Sequence, residues 1–202
     1  MLVPEVASGA ADDLAGLRQA CEDAVAGLIA LDPDRIVVLG DGDLDGERDE
    51  AAGGSLAGFG VDVRAGGGTD ELPLSLTIGA WLLDRAGWSG PRTYSTGEPE
   101  VAGRVGLLVM GDGSAKRTTT APGFFDDRAE GFDAAIASAL ATGDAAALAG
   151  LDLALGAELW AGGTPALKTL GRMTKDAAIT PRLRGDTAPF GVGYFVAEWV
   201  LS

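Results

Sequence analysis

Arg104–Phe132, RVGLLVMGDGSAKRTTTAPGFFDDRAEGF, joins an apolar run, a glycine turn and the start of an amphipathic pattern. Val105 to Met110 is an apolar run of the length suited to a strand buried on both faces. Gly111-Asp112-Gly113-Ser114 then turns the chain, its glycines open to backbone angles closed to other residues. A threonine-rich loop leads to Asp126 and Asp127, read as caps of a helix with Phe132, Ile136 and Leu140 on one face. Sites in α/β proteins form where such a strand ends and its loop begins. Asp112, Ser114 and Lys116 are therefore the pocket candidates, and the chain that surrounds them contains no histidine.

Working outward, Arg35 to Leu39 (RIVVL) predicts a second buried, β-branched strand. Before it, Leu14, Leu17, Cys21, Val25 and Leu28 recur at helical spacing behind Asp12 and Asp13, which are able to cap. Met1 to Ala7 reads as extended, because Pro4 discourages helix. Val61 and Val63 suggest a short strand, and Leu72 to Ala86 a buried helix starting near Pro73. Arg92 to Ser95 reads as a strand. Downstream, helices are expected over 127–141, 144–150, 151–162 and 165–173, and closing strands over 179–183 and 191–200. Strands separated by helices predict an α/β fold of three layers, a mainly parallel sheet flanked by helices, in one domain over residues 1–202.

The formal charge of −15 and sequence pI near 4.2 repel phosphate backbones and anionic membranes, so neither nucleic acid nor membrane is an expected partner. No apolar run approaches the ~18 residues of a membrane span. The opening MLVPEVASGA lacks the basic start and long apolar core of a signal peptide, which makes the cytoplasm the default expectation. Cys21 is the single cysteine, so no internal disulfide forms, and its helical neighbours point to packing.

Several motifs compete for chemistry. Asp41, Asp43, Asp45 and Gly46 match the opening of a calcium loop, but Ala52 stands where the bidentate carboxylate belongs. A looser oxygen-ligand site for Mg²⁺ or Mn²⁺ remains open at this strand end, against the alternative of a solvated acidic loop. Gly106 to Gly111 has phosphate-loop glycine spacing, yet Asp112 replaces the lysine and the interval is the strand itself. Ser114 has no histidine to activate it and no nucleophile elbow around it; Lys116 is the sole nearby base. Lys116 with Arg117 can hold an anionic ligand or merely offset neighbouring carboxylates. Trp81, Trp88, Trp160 and Trp199 are expected in the core or at its rim.

The order of segments resembles the subunit-B domain of class III extradiol ring-cleavage dioxygenases and their Memo-related relatives. Three passages carry the likeness. LVPEVASGAADDLAGLRQACEDAVAGLIALDPDRIVVLGD is similar to the family's first helix and following strand. GLLVMGDGSAKRTTTAPGFFDDRAEGFDAAIASALATGDAAAL resembles its Ser-Gly-Asp-x-Ser-His strand end, F-D helix and G-D turn. LGAELWAGGTPALKTLGRM resembles its late helix pair. The chain is read as a divergent, actinobacterial-type member without histidines.

The resemblance implies Fe(II) held by two histidines and a carboxylate, with a further histidine as acid/base. Gly111, Asp112 and Ser114 keep the family's pattern, whereas Ala115 occupies the acid/base position. One ligand histidine belongs to a His-Pro-Pro run ahead of the segment matching Leu2 to Val6, and this sequence does not include it. The other should follow Arg35–Leu39, where the sequence has Asp41 and Asp43; Glu198 is the candidate carboxylate. The expectation is a dioxygenase-like protein that has lost its iron site, with no cofactor, serving as a binding or assembly module for a small molecule or a protein. The alternatives are a carboxylate-only Mg²⁺ or Mn²⁺ enzyme, or an Fe(II) ring-cleaving enzyme completed by residues from outside this sequence. Dimers are common in the family, which makes a homo-oligomer a further expectation of the resemblance.

Overall fold

The computed structural model describes residues 2–202. The chain divides into two compact units, Met1–Met110 and Gly111–Ser202. The border falls inside the stretch quoted above, with the strand on one side and the glycine turn on the other. The protein is mixed α/β, with a three-stranded parallel sheet flanked by helices.

The first unit runs α1 (Pro4–Ala7), α2 (Ala15–Ala30), β1 (Arg35–Leu39), β2 (Gly53–Ser55), β3 (Arg64–Gly66), α3 (Leu74–Arg85), β4 (Arg92–Ser95) and β5 (Val105–Val109). Its sheet has the order β4-β1-β5, all parallel, with Ile36 opposite Arg92 on one side and Gly106 on the other. Ile36 to Leu39 are fully buried, as a continuous β-branched run in a central parallel strand should be. Two glycines let the helices come close. A Cβ at Gly79 of α3 would run into Val38, and one at Gly106 of β5 would sit 3.1 Å from Leu28 of α2. Ile36, Val38, Leu76, Ala80, Leu83 and Tyr94 form the centre of this core.

The second unit contains α4 (Ala129–Thr142), α5 (Ala145–Ala149), α6 (Leu153–Glu158), α7 (Thr164–Thr174), β6 (Ile179–Thr187) and β7 (Tyr194–Leu201). Asp144 caps α5 by accepting from the Ala147 amide, and Asp152 caps α6 through Ala154 and Leu155. The closing strands form an antiparallel hairpin of their own, with a bulge between Leu183 and Gly185. Trp199 of β7 donates its indole N–H to the Leu140 carbonyl at 2.8 Å, fastening the hairpin to α4.

Five local expectations change. β5, expected to be buried on both faces, buries only Gly106 and is otherwise half-buried, because it lies at the end of the three-stranded order. Pro4 opens a short helical turn instead of preventing one, because proline at the first helical position has no amide to lose. The strand expected at Val61–Val63 lies at Arg64–Gly66, paired with Gly53–Ser55. The glycines of that partner strand are there for space, since a Cβ at Gly53 would overlap the Gly67 carbonyl. Asp12 and Asp13 give α2 no side-chain cap. Nor do Asp126 and Asp127 cap α4: Asp126 instead accepts from the backbone and guanidinium of Arg128.

Candidate functional site

Residues 111–117 follow β5 and are tied by backbone hydrogen bonds on both sides. The Gly163 amide donates to the Asp112 carbonyl at 3.0 Å, and the Ala115 amide to Leu159 at 3.0 Å. On the other side Gly113 donates to Gly193, Gly193 to Ser114, and Arg117 to Gly191, at 2.8 to 3.0 Å. Gly111 and Gly113 are not at left-handed angles; the reason for glycine here is proximity. A Cβ on Gly111 would lie 2.5 Å from the Gly163 Cα, and one on Gly113 would lie 2.8 Å from Asp133 Oδ1.

Asp133, on α4, is the residue this segment closes upon. Its Oδ1 accepts from the Ser114 amide at 2.7 Å and its Oδ2 from the Ser114 hydroxyl at 2.8 Å. Arg117 adds an Nη1 contact to Oδ2 at 3.3 Å and reaches Glu130 with Nη2. Ser114 is 0% exposed and Asp133 1%. Gly193 completes the pocket around the carboxylate, because any side chain there would overlap it. A buried charge held by the two donors of Ser114 and the Arg117 guanidinium is compensated. The Ser114 hydroxyl is a donor consumed in that arrangement, enclosed away from solvent.

Asp112 and Lys116 face other surroundings. Asp112 is exposed, and its charge, after burial itself, helps push the Tyr194 phenol up to about 12. Lys116 lays its stem against Gly123 and holds Nζ 5.7 Å from the centre of the Trp160 ring. Beside it Asp126 is pulled down to about 2, first by the hydrogen bonds from Arg128, with a smaller contribution from Lys116. Arg128 also reaches Glu158 at 2.7 Å. Every cation of this loop thus has a carboxylate or a ring beside it, and none is set aside for a bound anion.

The candidate metal ligands belong to different units, Asp41 and Asp43 to the first and Glu198 to the second. Asp41 is partly buried at the end of β1, its backbone exchanging hydrogen bonds with Ser75, while Asp43 is exposed. Arg48 organises the acidic loop, donating to Glu71 and to the carbonyls of Asp45 and Glu47. Glu198 lies on the hairpin and pairs with Arg184 at 2.9 Å. Among the described residues, no group of three or more His, Cys, Asp or Glu side chains is arranged to hold a metal ion. The donor set does not fit ferrous iron: imidazole is absent from the chain and the candidate carboxylate is bound to a guanidinium.

A cleft of about 280 Å³ is lined by Glu50, Gly66, Ser89, Gly90, Pro91 and Arg92. It sits at the amino end of β4, the end opposite that at which parallel sheets present their sites. Arg92 is engaged there by Asp84 at 2.6 Å and by the Trp88 carbonyl.

Asp133 and Gly193 are the site residues the sequence reading missed. A signal existed for the first: Asp133 shares a helix face with Ala137 and Leu140, four and seven positions on, and a carboxylate on an apolar face needs a partner. Gly193 carries no comparable signal, because its need arises only from the distant carboxylate. No protein-family model matches the chain, and a search of curated proteins returns no match. Among the described residues no helix is long and apolar enough to cross a membrane.

Proposed function

We propose that this chain is a dioxygenase-like α/β protein without ring-cleaving activity, acting as a binding or assembly module through the loop that follows β5. The observation that carries the reading is the state of the motif-matched strand end. Ser114 is fully enclosed and both its polar groups are committed to Asp133, while Ala115 stands where the resemblance calls for an acid/base histidine. A serine in that state supplies neither a nucleophile nor a substrate contact. What the loop does present outward is Lys116 on Trp160, with Phe124 and Phe125 nearby in sequence.

The reading is tested by anaerobic calorimetric titration of the protein and of Asp112→Asn with Fe²⁺, Mn²⁺ and Mg²⁺. It expects the same weak response from both proteins for all three ions. Micromolar binding of any of them by the wild type, lost in Asp112→Asn, would replace it with a carboxylate-centred metal enzyme.

A further inference from the structure

The cleft at the amino end of β4 lies wholly within the first unit and is independent of the loop after β5. Its walls are set by backbone contacts. Gly66 is at a left-handed angle (φ 81°), and a Cβ there would lie 2.8 Å from the Ala52 carbonyl oxygen. A Cβ on Gly90 would lie 2.5 Å from the Trp88 ring, whose indole N–H donates to the Pro91 carbonyl at 3.3 Å. Walls fixed in this way are formed before a ligand arrives, which lowers the cost of binding. The volume of about 280 Å³ is near the lower bound of small-molecule pockets, so the cleft suits a compact metabolite-sized molecule.

The floor is rich in donors. Arg92, 8% exposed, gives one N–H to Asp84 and one to the Trp88 carbonyl, and the guanidinium carries further N–H groups. Asp84 is already shared, since its other oxygen accepts from the Gly66 amide at 2.8 Å. Beside the guanidinium is the Tyr94 hydroxyl, buried and without a hydrogen-bond partner. Buried polar groups are nearly always paired, so an unpaired hydroxyl against a partly used guanidinium calls for an acceptor. The rim has the opposite need. Among the described residues the exposed Glu50 carboxylate, an acceptor only, forms no ion pair or hydrogen bond.

Charge narrows the ligand. Asp84 already neutralises Arg92, so the floor offers hydrogen bonds without net charge. A carboxylate would satisfy that floor but would meet Glu50 and a chain at −15. An ammonium would satisfy Glu50 but brings only more donors to the floor. A neutral group that accepts at one end and donates at the other answers both needs, and a carboxamide is such a group. Parallel sheets place catalysis at the carboxyl ends of their strands, so a cleft at the amino end is a place for binding and not for turnover.

We infer that this cleft binds a small uncharged carboxamide, its carbonyl on Arg92 and its N–H on Glu50. The probe is benzamide, with benzoate and benzylammonium as controls of the same shape, titrated at pH 7 into the nitrogen-15-labelled full chain. Expected are saturable shifts of the Gly66, Ser89 and Gly90 amides and of the Trp88 indole N–H, with a Kd of ~1–10 mM for a ligand this small. Both controls should bind at least ~10-fold more weakly. Glu50→Gln and Ser89→Phe change exposed positions and should leave thermal melts unaltered. The first keeps an acceptor and removes the charge, so it should admit benzoate; the second fills the cleft and should abolish the benzamide shifts. Absence of saturable shifts at those groups would mean that water alone occupies the cleft, and would overturn the assignment. Shifts confined to other residues, equal affinity for the three probes, continued exclusion of benzoate by Glu50→Gln, or undiminished benzamide shifts in Ser89→Phe would overturn it too. Oxygen uptake by iron-loaded protein bears on the non-catalytic reading alone.

Discussion

Tyr194 and Ser114 are two residues whose ordinary chemistry is suppressed by where the fold puts them. The Tyr194 phenol is pushed up to about 12, by burial first and then by the charge of Asp112. Tyr94, fully buried in the first unit, is also raised, mainly by burial, although Arg92 opposes the shift. A phenol whose folded value exceeds its unfolded value of ~10 stabilises the fold fully below pH ~10, and that contribution disappears as pH climbs through the folded value. These are the only two tyrosines of the chain, so ultraviolet titration reports both directly. Each should titrate above the ordinary phenol value, Tyr194 near 12, and Asp112→Asn should bring Tyr194 part of the way down, leaving the share due to burial. Titration of both at the ordinary phenol value would contradict the packing described for them.

At the scale of elements, α4 is joined to the loop after β5 by the Asp133 carboxylate, and the loop in turn to the connection between β6 and β7 through Gly191 and Gly193. Removing one partner of a buried, hydrogen-bonded charge is costly because the others are stranded. Asp133→Ala should therefore destabilise by ~3–5 kcal/mol, leaving the Ser114 amide unpaired and Arg117 with Glu130 alone. Ser114→Ala, which removes one hydroxyl donor and keeps the amide, should cost ~1–2 kcal/mol. Urea unfolding of the two variants checks the order; a Ser114→Ala effect as large as that of Asp133→Ala would contradict a junction centred on the carboxylate.

The same junction explains what the sequence made legible. β1 was readable to the residue, because its apolar β-branched run reports burial on both faces by itself. β4, a polar Arg-Thr-Tyr-Ser segment, and the half-buried β5 carry no such signal, although β4 was placed to the residue and β5 to within one position. The β2–β3 pair was not, since Gly53 and Gly54 have poor strand propensity and are placed by what lies next to them, Gly67 and Thr77. The candidate site divides likewise. Asp112, Ser114 and Lys116 were found from the strand-end rule, but that rule says nothing of whether a hydroxyl points to solvent or into a carboxylate. That Ser114 is enclosed depends on Asp133 and Gly193, residues 19 and 79 positions away in sequence.

Taken whole, the molecule is an acidic α/β protein with a parallel sheet in one unit and, in the other, a helical block with its own hairpin. Its charge of −15 repels polyanions such as phosphate backbones. The resemblance to extradiol dioxygenases supplies the most specific alternative, and its chemistry demands imidazole that this chain does not contain. The direct test is an oxygen-electrode measurement on protein incubated anaerobically with Fe²⁺ and then mixed with catechol in air-saturated buffer. The account predicts uptake no faster than that of free Fe²⁺ and catechol at the same concentrations. Protein-dependent uptake, with the ultraviolet–visible band of a ring-opened product, would contradict it.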